Sequence, residues 1–284
     1  MSEAGGRVVV ITGGTRGIGL GLAREFGGRR CRVVICGRTS TAVDTALLDL
    51  HASGVTASGV ATDVTDRDQV QALWDHAVST YGRVDIWINN AGMSAPRRPL
   101  PEVPVDAVDA IVRTNLIGVL NGSAVAQAGF DQQARTGAGG WIWNMEGFGS
   151  NGQKQPGMTT YGATKRAVTY LTESLVKETK GTGTSVGFLS PGIVATDLLV
   201  DDYEGRPEEF ERVKKIFNIL GDRVETVTPW LADKVLAAVA GGKHGARVAW
   251  LTRPKAFARF ATAGFRKRDI FTAMPSARST APVA

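Results

Sequence analysis

The stretch that decides the fold is Arg-Val-Val-Val-Ile-Thr-Gly-Gly-Thr-Arg-Gly-Ile-Gly, residues 7–19. Its first five residues form a β-branched run that is typical of a buried parallel strand. Gly13, Gly17 and Gly19 follow with the spacing G-x-x-x-G-x-G, and residues 18–26 read as a helix. Free N–H groups at a helix N-terminus bind phosphate, and glycines let the backbone approach the ligand closely. The stretch therefore predicts a strand, a pyrophosphate-binding turn and a helix; the alternative is a plain flexible turn.

Apolar runs and helical patterns alternate along the rest of the chain. Strand signals recur near residues 7–12, 32–36, 55–61, 84–89, 140–145, 184–189 and 247–251, and helical stretches near 17–28, 41–52, 66–81, 105–130 and 160–179. This alternation predicts a single α/β domain with a Rossmann-type, doubly wound parallel sheet in three layers, α/β/α. Ligands of such sheets bind beyond the carboxyl ends of the strands. We therefore expect the segments that follow the strands to line one crevice.

The charge of the chain is concentrated at its C-terminal end. The 284 residues carry a net charge of +6, and residues 253–284 hold seven Lys or Arg against one acid. We expect a nucleotide-binding domain over residues 1–252, with a substrate loop at about 198–228 whose acidic start reads as a mobile loop. Residues 253–284 then form a basic extension, with disorder beyond residue 272.

Several classes of protein are disfavoured by composition. No apolar run approaches the 18 residues of a membrane span, and the first residues have no signal core. Cys31 and Cys36 do not form a C-x-x-C motif, which indicates reduced thiols in a cytoplasmic protein. The three histidines are scattered, so we expect no metal site. The basic tail is not paired with a recognition motif, so we expect no nucleic-acid partner.

Tyr161 and Lys165 are the leading catalytic candidates. Their i, i+4 spacing places both side chains on one face of a helix. An ammonium close to a phenol favours the phenolate and lowers the tyrosine pKa, which suits a general acid/base. Alone the pair is weak, because a solvated helix face often carries such residues. Its position downstream of a glycine-rich phosphate loop is what makes it specific.

Five motifs in this order resemble the short-chain dehydrogenase/reductase family. Two of the motifs are the glycine loop and the Tyr–Lys pair. Asn89-Asn90-Ala91-Gly92 is similar to the family's fourth-strand motif, and Asn115 is similar to its catalytic asparagine. Residues 191–196 are similar to the loop that contacts the nicotinamide in the family. The resemblance implies an oxidoreductase with a nicotinamide cofactor, which commonly forms a homodimer or homotetramer through the helices at 105–130 and 160–179. The residues that we expect to bind the cofactor are Gly13, Thr15, Arg16, Gly17, Ile18, Gly19, Arg38, Asp63, Val64, Asn89, Ala91, Gly92, Tyr161, Lys165, Pro191, Gly192, Val194 and Thr196.

The end of the second strand indicates which cofactor is bound. A carboxylate there would bind the ribose diol of NAD, but residues 35–38 read Ile-Cys-Gly-Arg, without an acid. Arg38 and Arg16 are placed to meet a 2′-phosphate, which guanidinium groups bind in bidentate fashion. The sequence therefore predicts NADP(H); the alternative is that one arginine is only surface charge.

The chain departs from the family where a catalytic serine is usual, about thirteen residues before the tyrosine. That count gives Phe148, and alignment on Asn144 instead puts Glu146 and Gly147 in the serine positions. Ser150 is the nearest hydroxyl; Tyr161 itself, a backbone N–H or a water are the other possible donors. Glu146 either binds substrate or a metal, raises the Tyr161 pKa, or is a structural residue. The expected substrate contacts are Glu146, Phe148 and Leu198.

The unusual segment at 144–150, together with residues 161–166 and 190–199, resembles the chlorophyll b reductases. The resemblance implies reduction of an aldehyde or ketone on a bulky substrate, with Tyr161 as proton donor, Lys165 lowering its pKa and Asn115 positioning a relay water. A non-catalytic NADP(H)-binding sensor or scaffold is one alternative. A tailoring enzyme that acts on a secondary metabolite, or an enzyme working in the alcohol-oxidising direction, is another.

The basic segment 255–268 contains Phe257, Phe260 and Phe265 among its cations. This pattern predicts either an interfacial amphipathic helix in peripheral contact with a membrane or a helix packed on the body with a solvated basic end. The second interpretation is favoured because Gly264 weakens the helix.

Overall fold

A computed structural model of the protein describes residues 6–94, 97–137, 139–203, 205–265 and 268–272. The strands are β1 Val8–Ile11, β2 Arg32–Gly37, β3 Ala57–Ala61, β4 Ile86–Asn89, β5 Gly140–Met145, β6 Thr184–Ser190, β7 Val194–Ala195, β8 Asp222–Arg223 and β9 Arg247–Ala249. The helices are α1 Gly17–Gly28, α2 Ser40–Ala52, α3 Arg67–Tyr81, α4 Val105–Val112, α5 Gly118–Gln133, α6 Thr159–Glu178, α7 Asp197–Asp201, α8 Pro207–Leu220, α9 Val224–Ala240 and α10 Arg253–Thr262.

One parallel sheet organises the chain, with strand order β3-β2-β1-β4-β5-β6-β9 within the described residues. All residues of β1 and β4 are buried, because helices cover both faces of the sheet. Helices α1, α2 and α9 enclose one apolar layer, and α3 and α5 enclose the other. The predicted three-layer Rossmann-type fold is therefore confirmed. The strand order reverses between β1 and β4, where such sheets bind their ligands.

A buried polar network joins β4 to β5 in the middle of the sheet. The Asn89 amide donates to Asn144 Oδ1 at 2.8 Å and to Ser123 Oγ at 3.1 Å, and Asn144 donates to Thr172 Oγ1 at 3.0 Å. These buried groups satisfy one another, as buried polar groups must. The network ties the two strands to α5 and α6, so it fixes the helix that carries the catalytic candidates.

The segment after β6 forms a cap on the sheet. It contains α8, which begins at Pro207 and ends at Leu220. The acidic start of this segment, which the sequence predicts as a mobile loop, contains Asp202 and Tyr203, and both lie just after α7 and are buried. Tyr203 packs with Phe217, Ile270 and other apolar residues of the cap, and this packing excludes water from the loop.

The C-terminal segment packs on this cap. Pro254 stands in the first turn of α10, where its missing N–H costs nothing, and the Thr252 hydroxyl caps the helix. The buried carboxylate of Asp222 accepts from Arg268 Nη2 at 2.5 Å and from Trp250 Nε1 at 2.6 Å, and it pairs with Arg259 Nη1 at 2.8 Å. The disorder predicted beyond residue 272 lies outside the described residues.

The helical stretch predicted at 105–130 contains an interruption. Residues Arg113–Ile117 form a π-turn between α4 and α5, and Asn115 is fully buried within it. Such turns are frequent at functional sites because they leave backbone groups free of the regular ladder. Across the described ranges, none of the helices combines the length and the apolar character that a membrane crossing requires.

Candidate active site

The glycine loop between β1 and α1 is shaped to receive an anion. Gly13 and Gly17 adopt positive φ angles of 63° and 53°. A Cβ on Gly19 would lie 2.1 Å from the Gly13 carbonyl oxygen, so no other residue fits there. Arg16 precedes the helix in extended conformation, and no side chain caps the first N–H groups. The helix start therefore keeps its donors and its positive dipole end for a phosphate.

Two residues that sequence reasoning did not assign hold this loop in place. The Thr12 hydroxyl accepts from the backbone N–H groups of Asn90 and Ala91, both at 3.0 Å. The Asn90 amide donates to the carbonyls of Thr12 at 2.9 Å and Gly13 at 3.0 Å. The signal was present, since both residues belong to the quoted motifs. Asn89, which was predicted to bind cofactor, instead has its side chain in the network between β4 and β5.

The predicted 2′-phosphate arginines lie at the outer end of the crevice. Arg38 is exposed directly after β2. The Arg16 side chain is 66% exposed and lies 3.7 Å from Asp197, and so solvated a pair contributes little stability. Both guanidinium groups are thus available to a ligand. Thr15 packs closely against the end of β2, because a Cβ on Gly37 would lie 2.7 Å from its Cγ2.

The remaining cofactor candidates follow the carboxyl edge of the sheet. Asp63 accepts from Thr65 N at 2.9 Å, and Val64 is buried against Gly118. Thr196 lies beside the glycine loop, since a Cβ on Gly17 would be 3.4 Å from its Cγ2. The other members on this edge are Ile18, Ala91, Gly92, Pro191, Gly192 and Val194. The glycine cradle, the uncapped helix start and the two arginines fit a dinucleotide.

Lys165 is a buried cation on α6. It is only 4% exposed, and its Nζ donates to the Met145 carbonyl at 3.3 Å. Nζ lies 5.7 Å from the centre of the Tyr161 ring. Burial lowers the pKa of Lys165 to about 8, although the charge of Glu146 opposes this shift. The amine is therefore poised to change protonation near neutral pH.

The pKa of Tyr161 is raised, which corrects the sequence-based prediction that Lys165 lowers it. Burial is the main cause; the charge of Asp202 adds to it, and Arg97 opposes it. The phenol is desolvated, and Lys165 directs its Nζ to Met145. Tyr161 is consequently protonated at neutral pH, as a proton donor must be.

Asn115 clamps the loop after β4 to α6. Its Oδ1 accepts from Met93 N at 2.8 Å, and its Nδ2 donates to Met93 O at 2.9 Å and to Thr164 Oγ1 at 3.2 Å. Thr164 in turn donates to the Tyr161 carbonyl at 2.7 Å. A Cβ on Gly92 would lie 3.3 Å from Asn115 Oδ1 and 3.6 Å from Lys165 Nζ. The three catalytic candidates Asn115, Tyr161 and Lys165 thus converge at one end of the crevice.

Gly147 lies where the family's serine would be expected. A Cβ at this position would be 2.4 Å from the Tyr161 hydroxyl oxygen, so the backbone itself approaches the phenol. The Ser150 hydroxyl accepts from Gly147 N at 3.1 Å and donates to the Lys165 carbonyl at 3.2 Å. Ser150 therefore supports the loop and has no proton left for a substrate oxygen. Phe148 is half-buried beside it.

Glu146 is oriented away from the predicted substrate position. Its buried carboxylate pairs with Arg247 of β9 and accepts from Thr169 Oγ1 of α6 at 3.1 Å. These contacts support the structural interpretation of Glu146. Glu146 still affects the catalytic candidates, because its negative charge raises the pKa of Lys165.

A second polar cluster, which sequence reasoning missed, lies close to Tyr161. Arg97 Nε is 3.5 Å from Asp202 Oδ2, and both side chains are at least 88% buried. Arg206 donates to the carbonyls of Arg97 and Asp202, both at 2.5 Å, and so joins the cap to the loop after β4. Burial raises the pKa of Asp202 although Ser94 and Arg97 oppose the shift. Ser94 Oγ is buried beside Asp202 without a hydrogen bond of good geometry.

A groove of about 480 Å³ continues from this cluster between the start of α6 and α8. Its walls include Tyr203, Gly157 and Thr159. Three arginines, Arg97, Arg98 and Arg212, line it against one acid, Glu209, which is paired with Arg206 at 2.9 Å. The groove is therefore cationic and large enough for part of a bulky ligand.

Comparison with known proteins identifies the relatives of this chain. The model of the short chain dehydrogenase family matches residues 7–207. A probable chloroplastic chlorophyll(ide) b reductase of Arabidopsis thaliana is 34% identical over 282 residues, which cover 93% of this chain and 54% of that protein. A second chloroplastic chlorophyll(ide) b reductase of the same plant is 35% identical over 257 residues, covering 88% of this chain and 72% of the relative. The chain thus spans about half the length of the first relative.

Solved structures match over most of the chain. An actinorhodin polyketide ketoreductase variant with NADPH has a TM-score of 0.75 at 27% identity, covering 86% of this chain and 95% of that one. A 3-ketoacyl-(acyl-carrier-protein) reductase from Brucella melitensis complexed with NADH has a TM-score of 0.72 at 24% identity, covering 87% and 97%, and it shows the shared fold.

The predicted cytoplasmic location is contradicted by these comparisons. Both Arabidopsis relatives are chloroplast proteins. The prediction rested on the two cysteines and the missing signal core. Cys31 and Cys36 are indeed free and buried, but reduced thiols do not distinguish one reducing compartment from another.

Proposed function

Because this chain belongs to the short-chain dehydrogenase/reductase family, we propose that it is an NADPH-dependent reductase of an aldehyde or ketone on a bulky substrate, of the chlorophyll b reductase type. The observation that carries the proposal is the convergence of Asn115, Lys165 and the half-buried Tyr161 at the end of a nucleotide-shaped crevice. The identity with two chlorophyll(ide) b reductases over most of the chain supports the substrate class.

Each catalytic candidate has one task in this proposal. Reduced nicotinamide supplies the hydride to the carbonyl carbon when the cofactor is bound. Tyr161 donates its proton to the carbonyl oxygen, and the cationic form of Lys165 stabilises the phenolate that remains. Asn115 fixes the loop of Met93 against α6 and so keeps the two groups in register.

The protonation state of Tyr161 suits the reductive step of a reversible reaction. A raised phenol pKa keeps the proton on Tyr161 at neutral pH. Reduction of a carbonyl needs a proton donor, whereas oxidation of an alcohol needs the phenolate as base. The same residue therefore serves both directions, and the alcohol-oxidising alternative is tested by offering the alcohol with NADP+.

We assign the place of the missing serine donor to Ser94. Gly147 has no side chain, and the Ser150 hydroxyl donates its hydrogen bond to the Lys165 carbonyl. Ser94 follows Met93, which Asn115 holds on both sides, and its buried hydroxyl lies by Asp202, whose pKa it lowers through a hydrogen bond of poor geometry that a substrate oxygen could replace. A hydroxyl donor at the carbonyl oxygen stabilises the charge that develops there.

Arginines at the cofactor end of the crevice and in the groove beside Tyr203 support the proposed cofactor and substrate. Arg38 and Arg16 favour the 2′-phosphate of NADPH, because charge-assisted bonds to phosphate are strong. Arg97 pairs with Asp202 and Arg212 with Glu208, whereas Arg98 is exposed in the groove and favours a substrate with a carboxylate there. We therefore propose that chlorophyllide b, which has a free propionate, is preferred over its phytyl ester, chlorophyll b.

We also propose that the protein forms a homodimer or homotetramer through α4, α5 and α6. Large apolar side chains are exposed on all three helices: Val105 at 85%, Leu120 at 39% and Tyr170 at 74%. Exposed apolar groups on adjacent elements are typical of an interface between subunits.

The test is a panel of carbonyl compounds offered with NADPH or NADH, with product mass as the readout. The panel contains chlorophyll b, chlorophyllide b, and keto-polycyclic metabolites for the tailoring-enzyme alternative. We expect reduction of chlorophyllide b with NADPH and a preference of about 10- to 100-fold over NADH, which Arg38→Ala abolishes. Tight NADPH binding without reduction of any carbonyl would support the sensor alternative instead.

A further inference from the structure

Helix α10 has its polarity reversed relative to an ordinary surface helix. Two of its cations face the body: Lys255 Nζ lies 3.0 Å from the centre of the Trp250 ring, and Arg259 Nη1 donates to the Leu220 carbonyl at 2.7 Å. Its aromatic side chains face outward, with Phe257 76% and Phe260 52% exposed. Phe265, just after the helix, is 94% exposed. An ordinary surface helix buries its apolar stripe and solvates its charges.

The reversal is fixed by a buried anion. Asp222 accepts from Arg268 and Trp250 and pairs with Arg259. A buried carboxylate needs these partners, since an unpaired charge in the interior is strongly destabilising. Turning α10 to bury its phenylalanines would remove Arg259 from Asp222. The outward aromatic face is therefore built into the packing of the cap.

The surroundings of this face are cationic. A groove of about 560 Å³ between α8 and the end of α10 is lined by Lys214, Lys215 and Arg268, of which Arg268 is paired with Asp222. Its one acid, Glu211, is paired with Lys214 at 3.0 Å. Arg253 is exposed one turn before Phe257 on the same side of the helix.

We propose that the outer face of α10, formed by Phe257, Phe260 and Phe265 with Lys214, Lys215 and Arg253 around it, docks on an anionic lipid surface. Aromatic side chains insert at the boundary of headgroups and acyl chains, and cations bind the lipid phosphates. A second copy of the chain would oppose the same cations across a two-fold contact, which like charges disfavour.

The experiment is flotation of the full chain with vesicles of phosphatidylglycerol and phosphatidylcholine, or of phosphatidylcholine alone. Wild-type protein should float with the anionic vesicles and less with the neutral ones, and added salt should weaken its binding. The triple variant Phe257→Ser, Phe260→Ser and Phe265→Ser should lose at least about tenfold in binding. Leu48→Ser, at a residue that is 71% exposed on α2, is the matched control and should bind like wild type.

A charge variant separates the two contributions. Lys214→Glu combined with Lys215→Glu should reduce binding to anionic vesicles and leave the weak binding to neutral vesicles unchanged. Absence of wild-type flotation, or equal flotation of wild type and triple variant, would overturn the proposal. Sedimentation velocity shows whether the triple variant has a smaller oligomeric state than wild type. A smaller oligomeric state with unchanged flotation would indicate that the outer face of α10 is a contact between copies of this chain. Circular dichroism confirms that each variant is folded.

Discussion

Two of the buried charges in the described residues, Lys165 and Asp222, differ in how many partners surround them. Asp222 is surrounded by Arg259, Arg268 and Trp250. Burial alone would raise its pKa, but these hydrogen bonds outweigh burial and hold the pKa below its usual range. Among the described residues, Lys165 has the Met145 carbonyl as its hydrogen-bond partner and the more distant charge of Glu146, and burial has the larger effect on its pKa.

The difference separates a structural charge from a reactive one. A fully paired carboxylate keeps one protonation state and holds elements together. An ammonium with few partners titrates near neutral pH and can respond to a phenolate formed beside it. The comparison therefore predicts that changes near Lys165 affect turnover while the fold persists, and that changes at Asp222 affect the fold first.

The largest effect is expected from Tyr161→Phe. Removing the proton donor should lower kcat by about 10²- to 10⁴-fold with little change in NADPH affinity or melting temperature. Tyr170→Phe, at an exposed tyrosine on the same helix, is the control. Steady-state kinetics and cofactor titration provide the readout, and turnover of Tyr161→Phe near the wild-type rate would refute the role of Tyr161.

Asp222→Asn should show the opposite pattern. It removes the anion that holds Arg259 and Arg268, and we expect a loss of about 3–5 kcal/mol in the free energy of unfolding. The matched control Asp233→Asn breaks a pair whose carboxylate is 62% exposed and should cost less than about 1 kcal/mol. Urea denaturation measures both.

The pH dependence of this difference has a defined sign. The folded pKa of Asp222 is lowered, so its contribution is present above the unfolded pKa of about 4 and is lost as the pH falls through the folded value. The gap in stability between wild type and Asp222→Asn should therefore narrow in acid. A gap that stayed constant down to strongly acidic pH would show that the charge of Asp222 is not what stabilises the cap.

Gly147→Ser tests whether the serine of the family can be restored. A Cβ would lie 2.4 Å from the Tyr161 hydroxyl oxygen, so the new side chain should displace the phenol. We expect kcat to fall by about tenfold or more, because small displacements of reacting groups are costly. Gly28→Ser, which like Gly147 has no positive φ but has open space around its Cβ position, is the matched control and should leave kcat unchanged. An increase in kcat for Gly147→Ser would contradict the assignment of Ser94.

The smallest effect is a shift in the pH profile. Lys165 is cationic below its pKa of about 8 and neutral above it, so kcat should fall as the pH rises through that value. The charge of Glu146 raises this pKa, and Glu146→Gln should therefore move the alkaline limb to lower pH. Thr169→Val removes a hydrogen bond to Glu146 but keeps its charge, and it should leave the limb in place. If kcat fell at the same alkaline pH in wild type and in Glu146→Gln, the fall would not report the titration of Lys165.

The sequence predicted the sheet and the carboxyl edge well because both depend on local patterns. The β-branched run at 7–11 and the glycine spacing after it have few structural solutions. The Tyr161–Lys165 pair was found for the same reason, since its spacing is that of a helix face.

The cap was predicted poorly because it depends on contacts distant in sequence. From the sequence alone, Asp202 is interpreted as an exposed acid, because Arg97, its ion-pair partner, is distant in sequence. The burial of Asp222 could not be predicted either, since its partners Arg259 and Arg268 are also distant in sequence. The raised Tyr161 pKa could not be predicted because desolvation is a property of the assembled site. Helix α9 was also missed, because it contains Pro229 and a proline inside a segment predicts the end of a helix.

The most direct test of the account is transfer of deuterium from NADPH labelled at the nicotinamide C4 to chlorophyllide b, followed by mass spectrometry in wild type and in Tyr161→Phe. The account predicts an alcohol with one deuterium on the former carbonyl carbon in wild type, and almost no labelled product in the variant. The contrary result is that wild-type protein binds NADPH tightly but returns chlorophyllide b unlabelled and reduces no other carbonyl compound that is offered. This result would contradict the claim that the Tyr161–Lys165 centre is catalytic.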